Sequence, residues 1–372
     1  MKKLPRNFGI DTLRIVSMVG VVFLHVLRHG GILNLELSPA SYLMAMFFEI
    51  LAYPAVNCFV LISGYVGYKG EDVFPKIKNI LSLMFTVIFY SVAIFLVFTL
   101  LGVEPFGLGK FVKSFFPITS NSYWFFSVYF GLFLISPLLN MLVQKINLKY
   151  AVAFLSAFSL FIIISIFYDI FSLQNGYSLI WFIFMYLIGA IVKKFKLNEL
   201  LSKTWWLIIA LLSFMITWIS KVALEFSSIS FLEYYINALV KYVSPTIVLM
   251  AVALLCLFSK IKCKPLLIPK ISFFASSAFS VYLIHDNIYI RNYLISKIHT
   301  FVGDFNFVSL SLSIVCSVAV IFLACILIDK IRIIIFKAIR IDKLTEKIEK
   351  LIITIINAIY TRIEKIIQPT AE

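Results

Sequence analysis

Apolar stretches long enough to cross a bilayer follow one another along almost the whole of this chain. That pattern leaves few folds open. Inside hydrocarbon every backbone N–H and C=O must be satisfied, so segments of this length form helices. With 62% hydrophobic and 14% charged residues, the composition lies well past the ~45–50% apolar share of soluble domains. The expected fold class is an all-α membrane protein, a bundle of about ten transmembrane helices plus a C-terminal amphipathic helix.

The spans are expected at roughly 9–27, 43–67, 79–101, 122–142, 150–168, 179–192, 204–222, 238–258, 272–296 and 307–329. The sixth is short for a crossing. Pro54, Pro137 and Pro245 fall inside spans, where each frees a carbonyl and permits a kink, beside a cavity or simply for packing. No internal repeat and no separate soluble catalytic domain is evident, so any chemistry belongs among the helices or in short loops.

The net charge of +15 could mark a nucleic-acid binder, but its placement argues for topology. With the N-terminus inside, 25 of the 33 Lys and Arg residues fall on inner loops and the C-terminal tail. That bias is the positive-inside rule for ten spans with both termini cytoplasmic. No nucleic-acid partner is expected; lipid headgroups or an anionic cofactor head are the fitting local partners. The Phe-, Ile- and Lys-rich composition points to a bacterial plasma membrane. The opening MKKLPRNFGI looks like a signal-peptide start, but Arg14 interrupts the run behind it and no small-residue cleavage site follows, so it reads as a retained first helix. Cys58, Cys256, Cys263, Cys316 and Cys325 show no metal-ligand spacing and suggest no disulfide framework. No metal site is expected.

Residues 1–333 are expected to form the transmembrane part and 334–372 a cytoplasmic tail. In the tail Ile341, Leu344, Ile348, Leu351, Ile355, Ile359, Ile363 and Ile366 recur every three or four residues, opposite a charged face. Such a helix lies along the inner membrane surface or pairs with a partner helix.

Arg14 and His25 lie inside the first span with ten residues between them. Ionisable groups at membrane depth are costly and usually line a pathway or a reaction site. Eleven steps of ~100° return to within about 20° of the start, so both side chains share one face, about 16.5 Å apart along the axis. Arg14 could instead snorkel to headgroups, and His25 could be a structural hydrogen-bonding group. As a functional group, imidazole suits a general base. Glu49 on the second span falls near the depth of His25 and is expected to orient it, or else to serve another partner.

Ser63-Gly64-Tyr65 closes the second span, where Ser-Gly often means close helix packing. Lys76 and Lys78 follow in the next loop, as orientation charges or as a grip on phosphates. Trp124 opens the fourth span, as part of an aromatic belt or as a platform for a sugar ring. In the ninth, Tyr282-Leu283-Ile284-His285-Asp286 puts adjacent polar groups in the bilayer, with Arg291 close enough in sequence to neutralise Asp286. His29 and His299 receive no role.

Taken in order, these residues resemble a known pattern. Arg14-x10-His25, Phe59-x-x-x-Ser63-Gly64-Tyr65, the basic pair Lys76 and Lys78, Trp124, and Tyr282-Leu283-Ile284-His285 together resemble acyltransferase family 3, integral membrane acyltransferases, over essentially the whole membrane portion. The resemblance implies transfer of an acyl group, usually acetyl from acetyl-CoA, to a hydroxyl of a surface polysaccharide or lipid-linked glycan at the outer face. It implies His25 as catalytic base with Glu49. Arg14, Lys76, Lys78, Ser63 and Tyr65 would then meet the acyl-CoA, and Trp124, Tyr282 and His285 the carbohydrate. A transporter or flippase of lipid-linked glycans is the competing expectation, since many spans, proline kinks and buried charges suit one.

Overall fold

The computed structural model describes residues 6–70, 76–227, 239–301 and 306–367. Lys2, Lys3, the first residue of the 238–258 span and the tail's last five residues lie outside them. Among the described residues the chain is helical and contains no strand. Eight helical segments are long and apolar enough to cross a membrane. Two shorter apolar helices among the described residues lie at the sixth and eighth expected spans.

Helix α1 (Phe8–Arg28) occupies the centre. It touches α2 (Pro39–Ala52), α3 (Ala55–Gly67), α10 (Pro245–Ser259), α11 (Ile268–Ala275), α12 (Ala278–His285) and α15 (Phe307–Ala338). Its start is fixed locally. The Asn7 side chain accepts hydrogen bonds from the N–H groups of Gly9 and Ile10 and donates to the Ser259 carbonyl at 2.8 Å, so one residue caps α1 and ties it to the end of α10. Gly9 permits that approach, because a Cβ there would fall 2.0 Å from the Phe258 carbonyl oxygen.

The remaining helices are α4 (Ile77–Leu100), α5 (Leu108–Ser114), α6 (Trp124–Lys145), α7 (Leu148–Phe167), α8 (Leu179–Lys194), α9 (Lys203–Glu225), α13 (Ile288–Tyr293), α14 (Ile298–Phe301) and α16 (Ile341–Ile367). Helices α3 and α8 cross at backbone contact. A Cβ on Gly64 would lie 2.0 Å from Tyr186 O, and one on Gly189 2.1 Å from Leu61 O. The Ser-Gly step therefore does serve close packing at its glycine.

Three expected spans are built differently from single helices. The second breaks at Tyr53-Pro54 into α2 and α3, where proline cannot donate to the preceding turn. The eighth begins only at Pro245, which takes the first helical position after Ser244. The ninth divides into α11, α12 and α13, because Ser276-Ser277 and then Asp286-Asn287 supply short polar groups that compete with the helical ladder. The first break is sealed by Lys330, whose Nζ donates to Phe273 O at 2.7 Å and Ser277 Oγ at 2.9 Å. At the second, Asn287 Oδ1 accepts from the N–H of Tyr289, while its Nδ2 donates to Tyr123 Oη, which in turn donates to Leu283 O. Helix α15 runs on to Ala338, past the 333/334 boundary, and the chain turns at Arg340 with φ 57°.

Candidate active site

The stripe of α1 that carries residues 14, 18, 21, 25 and 28 faces two adjoining chambers. His25, Met18, Val21 and Arg28 line one of about 300 Å³. Arg14 lines another of about 310 Å³. Phe59, Phe125 and Phe279 belong to the walls of both. The guanidinium and the imidazole thus look into neighbouring spaces that meet at a collar of three phenylalanines. Arg14, His25, Ser63, Lys76, Trp124 and Tyr282 all line one chamber or the other.

In the His25 chamber the imidazole Nδ1 lies 2.9 Å from His285 Nε2. His285 Nδ1 lies 2.5 Å from the carbonyl oxygen of Val281. A carbonyl only accepts, so His285 Nδ1 carries the proton and its Nε2 is the acceptor. His25 Nδ1 is then the donor, and the unprotonated nitrogen of His25 is Nε2. Asp286 Oδ1 stands 3.6 Å from His25 Nδ1 and 3.6 Å from Arg291 Nη1. Asp286 Oδ1 and Tyr282 Oη are both buried without a well-formed hydrogen bond.

His285, expected to meet the carbohydrate, lines neither chamber. It is 1% exposed and stands behind His25, where helix α12 ends. Glu49 is not the partner of His25 either. It is buried and accepts from Arg28, with Nε and Nη2 both 2.6 Å from Oε1, while Arg28 Nη2 also donates to Tyr53 Oη at 2.9 Å. Arg28, one turn beyond His25, offers the permanent charge and captures the carboxylate.

One wall of this chamber is a ladder of rings. Trp124 lies 4.5 Å from Tyr177, Tyr177 5.3 Å from Tyr242, and Tyr242 5.2 Å from Tyr53, between ring centroids. The Arg28 guanidinium caps it, 5.5 Å above the Tyr53 ring. Buried Asn57 fixes the middle of the ladder: its Nδ2 donates to Tyr242 O at 2.8 Å and its Oδ1 accepts from Trp181 Nε1 at 3.0 Å.

The Arg14 chamber is basic at its margin. Arg14, Lys69 and Lys76 line it, together with Asn79 and Ser63. Asp11, buried nearby, holds Arg14 Nη1 and Arg6 Nε at 2.5 Å each. Lys78 does not join this group. Its Nζ pairs with Glu346 and its backbone N–H donates to Glu349 Oε1 at 2.9 Å, so it faces α16. Lys76 is the extended residue that precedes α4, whereas Lys78 is in the first turn of the helix and points to α16. Tyr65 also lies outside both linings and sits under Lys193, whose Nζ is 4.7 Å from the ring centroid.

Sequence reasoning missed Arg28, His29, Tyr53, Tyr177 and Tyr242 in this site. The signal for His29 was its four-residue spacing from His25; the two rings are 4.8 Å apart. His25, His29 and Asp286 bring ligand atoms within 4.8 Å of one another, a set able to hold a divalent cation. Here Asp286 already faces Arg291, and His25 Nδ1 is engaged with His285.

A bundle of membrane-length helices enclosing a half-buried imidazole, its buried histidine partner and an adjoining basic chamber defines a multi-pass membrane protein. Residues 7–330 match the acyltransferase domain of acyltransferase family 3, and the chain belongs to that family. It is a membrane acyltransferase, which sets aside the transporter reading. No curated protein and no solved structure matches the chain.

Proposed function

We propose that this acyltransferase moves an acetyl group from acetyl-CoA in the cytoplasm to a hydroxyl of an extracytoplasmic surface polysaccharide or lipid-linked glycan, without a metal ion. The observation that carries the reading is the directed hydrogen-bond chain from Val281 O through His285 to His25, which leaves His25 Nε2 as a free base in a chamber adjoining a basic one. The Arg14 chamber suits the donor. Arg14, Lys69 and Lys76 offer cations for its phosphates, and the phenylalanine collar separates them from His25. The ring ladder from Trp124 to Tyr53 suits a sugar face.

The donor supplies a thioester carbonyl at the collar. His25 Nε2 takes the proton of the acceptor hydroxyl as its oxygen attacks that carbonyl. Positive charge then develops on the imidazole, and Asp286 at 3.6 Å offsets it. Tyr282 Oη, lining the chamber with no formed hydrogen bond, serves as donor to the carbonyl oxygen as negative charge grows there. The His25 proton finally passes to the departing thiolate. His285 acts through His25, by fixing its tautomer.

In this arrangement the Arg14 chamber opens toward the cytoplasm and the His25 chamber toward the exterior, as the Lys and Arg bias requires. Acetyl transfer by protein in proteoliposomes tests the reading. His25→Ala should abolish release of CoA, and Arg14→Ala should raise the donor KM. Near wild-type kinetics in both folded variants would remove the proposal.

A further inference from the structure

We infer that the acceptor carries an oxyanion, a carboxylate or a phosphate ester, next to the hydroxyl that is acylated, and that Arg28 and Arg291 bind it. This rests on the acyltransfer reading of the His25 chamber. Two guanidiniums flank His25 from different helices, α1 and α13, and both line the chamber. Each faces a buried carboxylate on one side and open space on the other. The Arg28 side chain is 52% exposed against 3% for Glu49; that of Arg291 is 34% exposed against 5% for Asp286. Glu49 is sealed into the protein and Asp286 borders the chamber with little exposed surface, so the guanidiniums are the more exposed charges there.

Their donors are also available. Arg28 spends Nε and Nη2 on Glu49 and Tyr53, while Nη1 makes no hydrogen bond among the described residues. The Arg291 side chain makes none at all among them, and its ion contact with Asp286 is a loose 3.6 Å. A neutral sugar needs stacking surface and a few polar groups, which the ring ladder already gives. It has no use for two permanent cations held at membrane depth, where such charges are costly. A planar guanidinium with unspent N–H groups matches a carboxylate or phosphate. The position matters too: Arg28 stands one helical turn from His25 on the same stripe, so an anion held there places its own sugar ring against Tyr53 and Tyr242 and a neighbouring hydroxyl at His25 Nε2.

The test is equilibrium binding to the full chain in lipid nanodiscs, read by tryptophan fluorescence. The probes are a uronic-acid oligosaccharide, its carboxyl-reduced neutral counterpart, and a phosphomonoester of the neutral form. We expect the acidic forms to bind at least roughly tenfold tighter than the neutral one, the effect of about one charge-assisted hydrogen bond. The tighter of the two acidic forms identifies the anion. Arg291→Gln should erase the preference and Arg291→Lys should restore most of it; Arg28→Gln should act likewise, with Arg291 as the safer site because its removal unpairs only a loose contact. Equal affinities for all three, or no binding of any, overturns the inference. Acid preference without acetyl-CoA-dependent transfer leaves it standing and removes the donor assignment instead.

Discussion

Replacing His285 with Leu separates a positioning role from a merely structural one. The substitution keeps a side chain of similar volume but removes both ring nitrogens. His25 Nδ1–H then loses its 2.9 Å acceptor, and the remaining acceptor in range is Asp286 Oδ1 at 3.6 Å. The imidazole must rotate to reach it, which displaces Nε2 from the acceptor hydroxyl, or it adopts the other tautomer, which puts the proton on Nε2 and blocks the base. A hydrogen bond of this kind contributes about 1–2 kcal/mol, so kcat should fall roughly fivefold to thirtyfold. His25→Ala removes the base itself and should cost more, about 10²–10⁴-fold. The assay is initial-rate CoA release at saturating donor, with acceptor varied. The fall should appear in kcat, with the donor KM unmoved, since His285 does not line the Arg14 chamber and reaches the other only through His25. Full kcat in a folded His285→Leu protein would refute the relay and the tautomer assignment with it.

Lys69→Ala and Lys76→Ala should each raise the acyl-CoA KM several-fold, whereas Lys78→Ala should leave it unchanged and loosen α16, measured as faster proteolysis of the tail. Glu49→Gln should weaken acceptor binding through Arg28 more than it lowers kcat; a kcat loss equal to that of His25→Ala would restore the direct Glu49–His25 pairing. Gly64→Ala would drive a methyl to 2.0 Å from the Tyr186 carbonyl, and overpacking of that kind costs about 1–3 kcal/mol, read as a lowered thermal midpoint in nanodiscs. Added Zn²⁺ should inhibit by gathering His25, His29 and Asp286, with chelator reversing the effect and His29→Ala reducing sensitivity to it.

The parts of this protein that a reader of its sequence can see are those set by local rules. Apolar length gives the membrane helices, and a 3.6-residue turn puts Arg14 and His25 on one stripe of α1, where the structure has them facing adjoining chambers. Approximate level along the bundle is legible too: His285 and Asp286 stand beside His25, and Glu49 is held by Arg28, one turn further along α1. What depth does not fix is direction around each helix, and pairing depends on direction. Glu49 had two basic groups within reach of one turn, a neutral imidazole and a permanent guanidinium, and the desolvated carboxylate takes the charge. His285 was readable as a polar group at the right height, but its place behind His25 follows from where α12 stops, and α12 stops because Asp286 and Asn287 follow it. The ring ladder was the least visible. Tyr53, Tyr177 and Tyr242 come from three segments far apart in sequence, two of them at helix ends that periodicity alone leaves undefined. Helix ends are where this bundle breaks its own ladder, at Pro54, at Ser244-Pro245 and at Asp286-Asn287, and those breaks supply the polar groups and the room that uninterrupted spans would not. The proposed site therefore lies where the simplest reading of the sequence, ten continuous helices, fails.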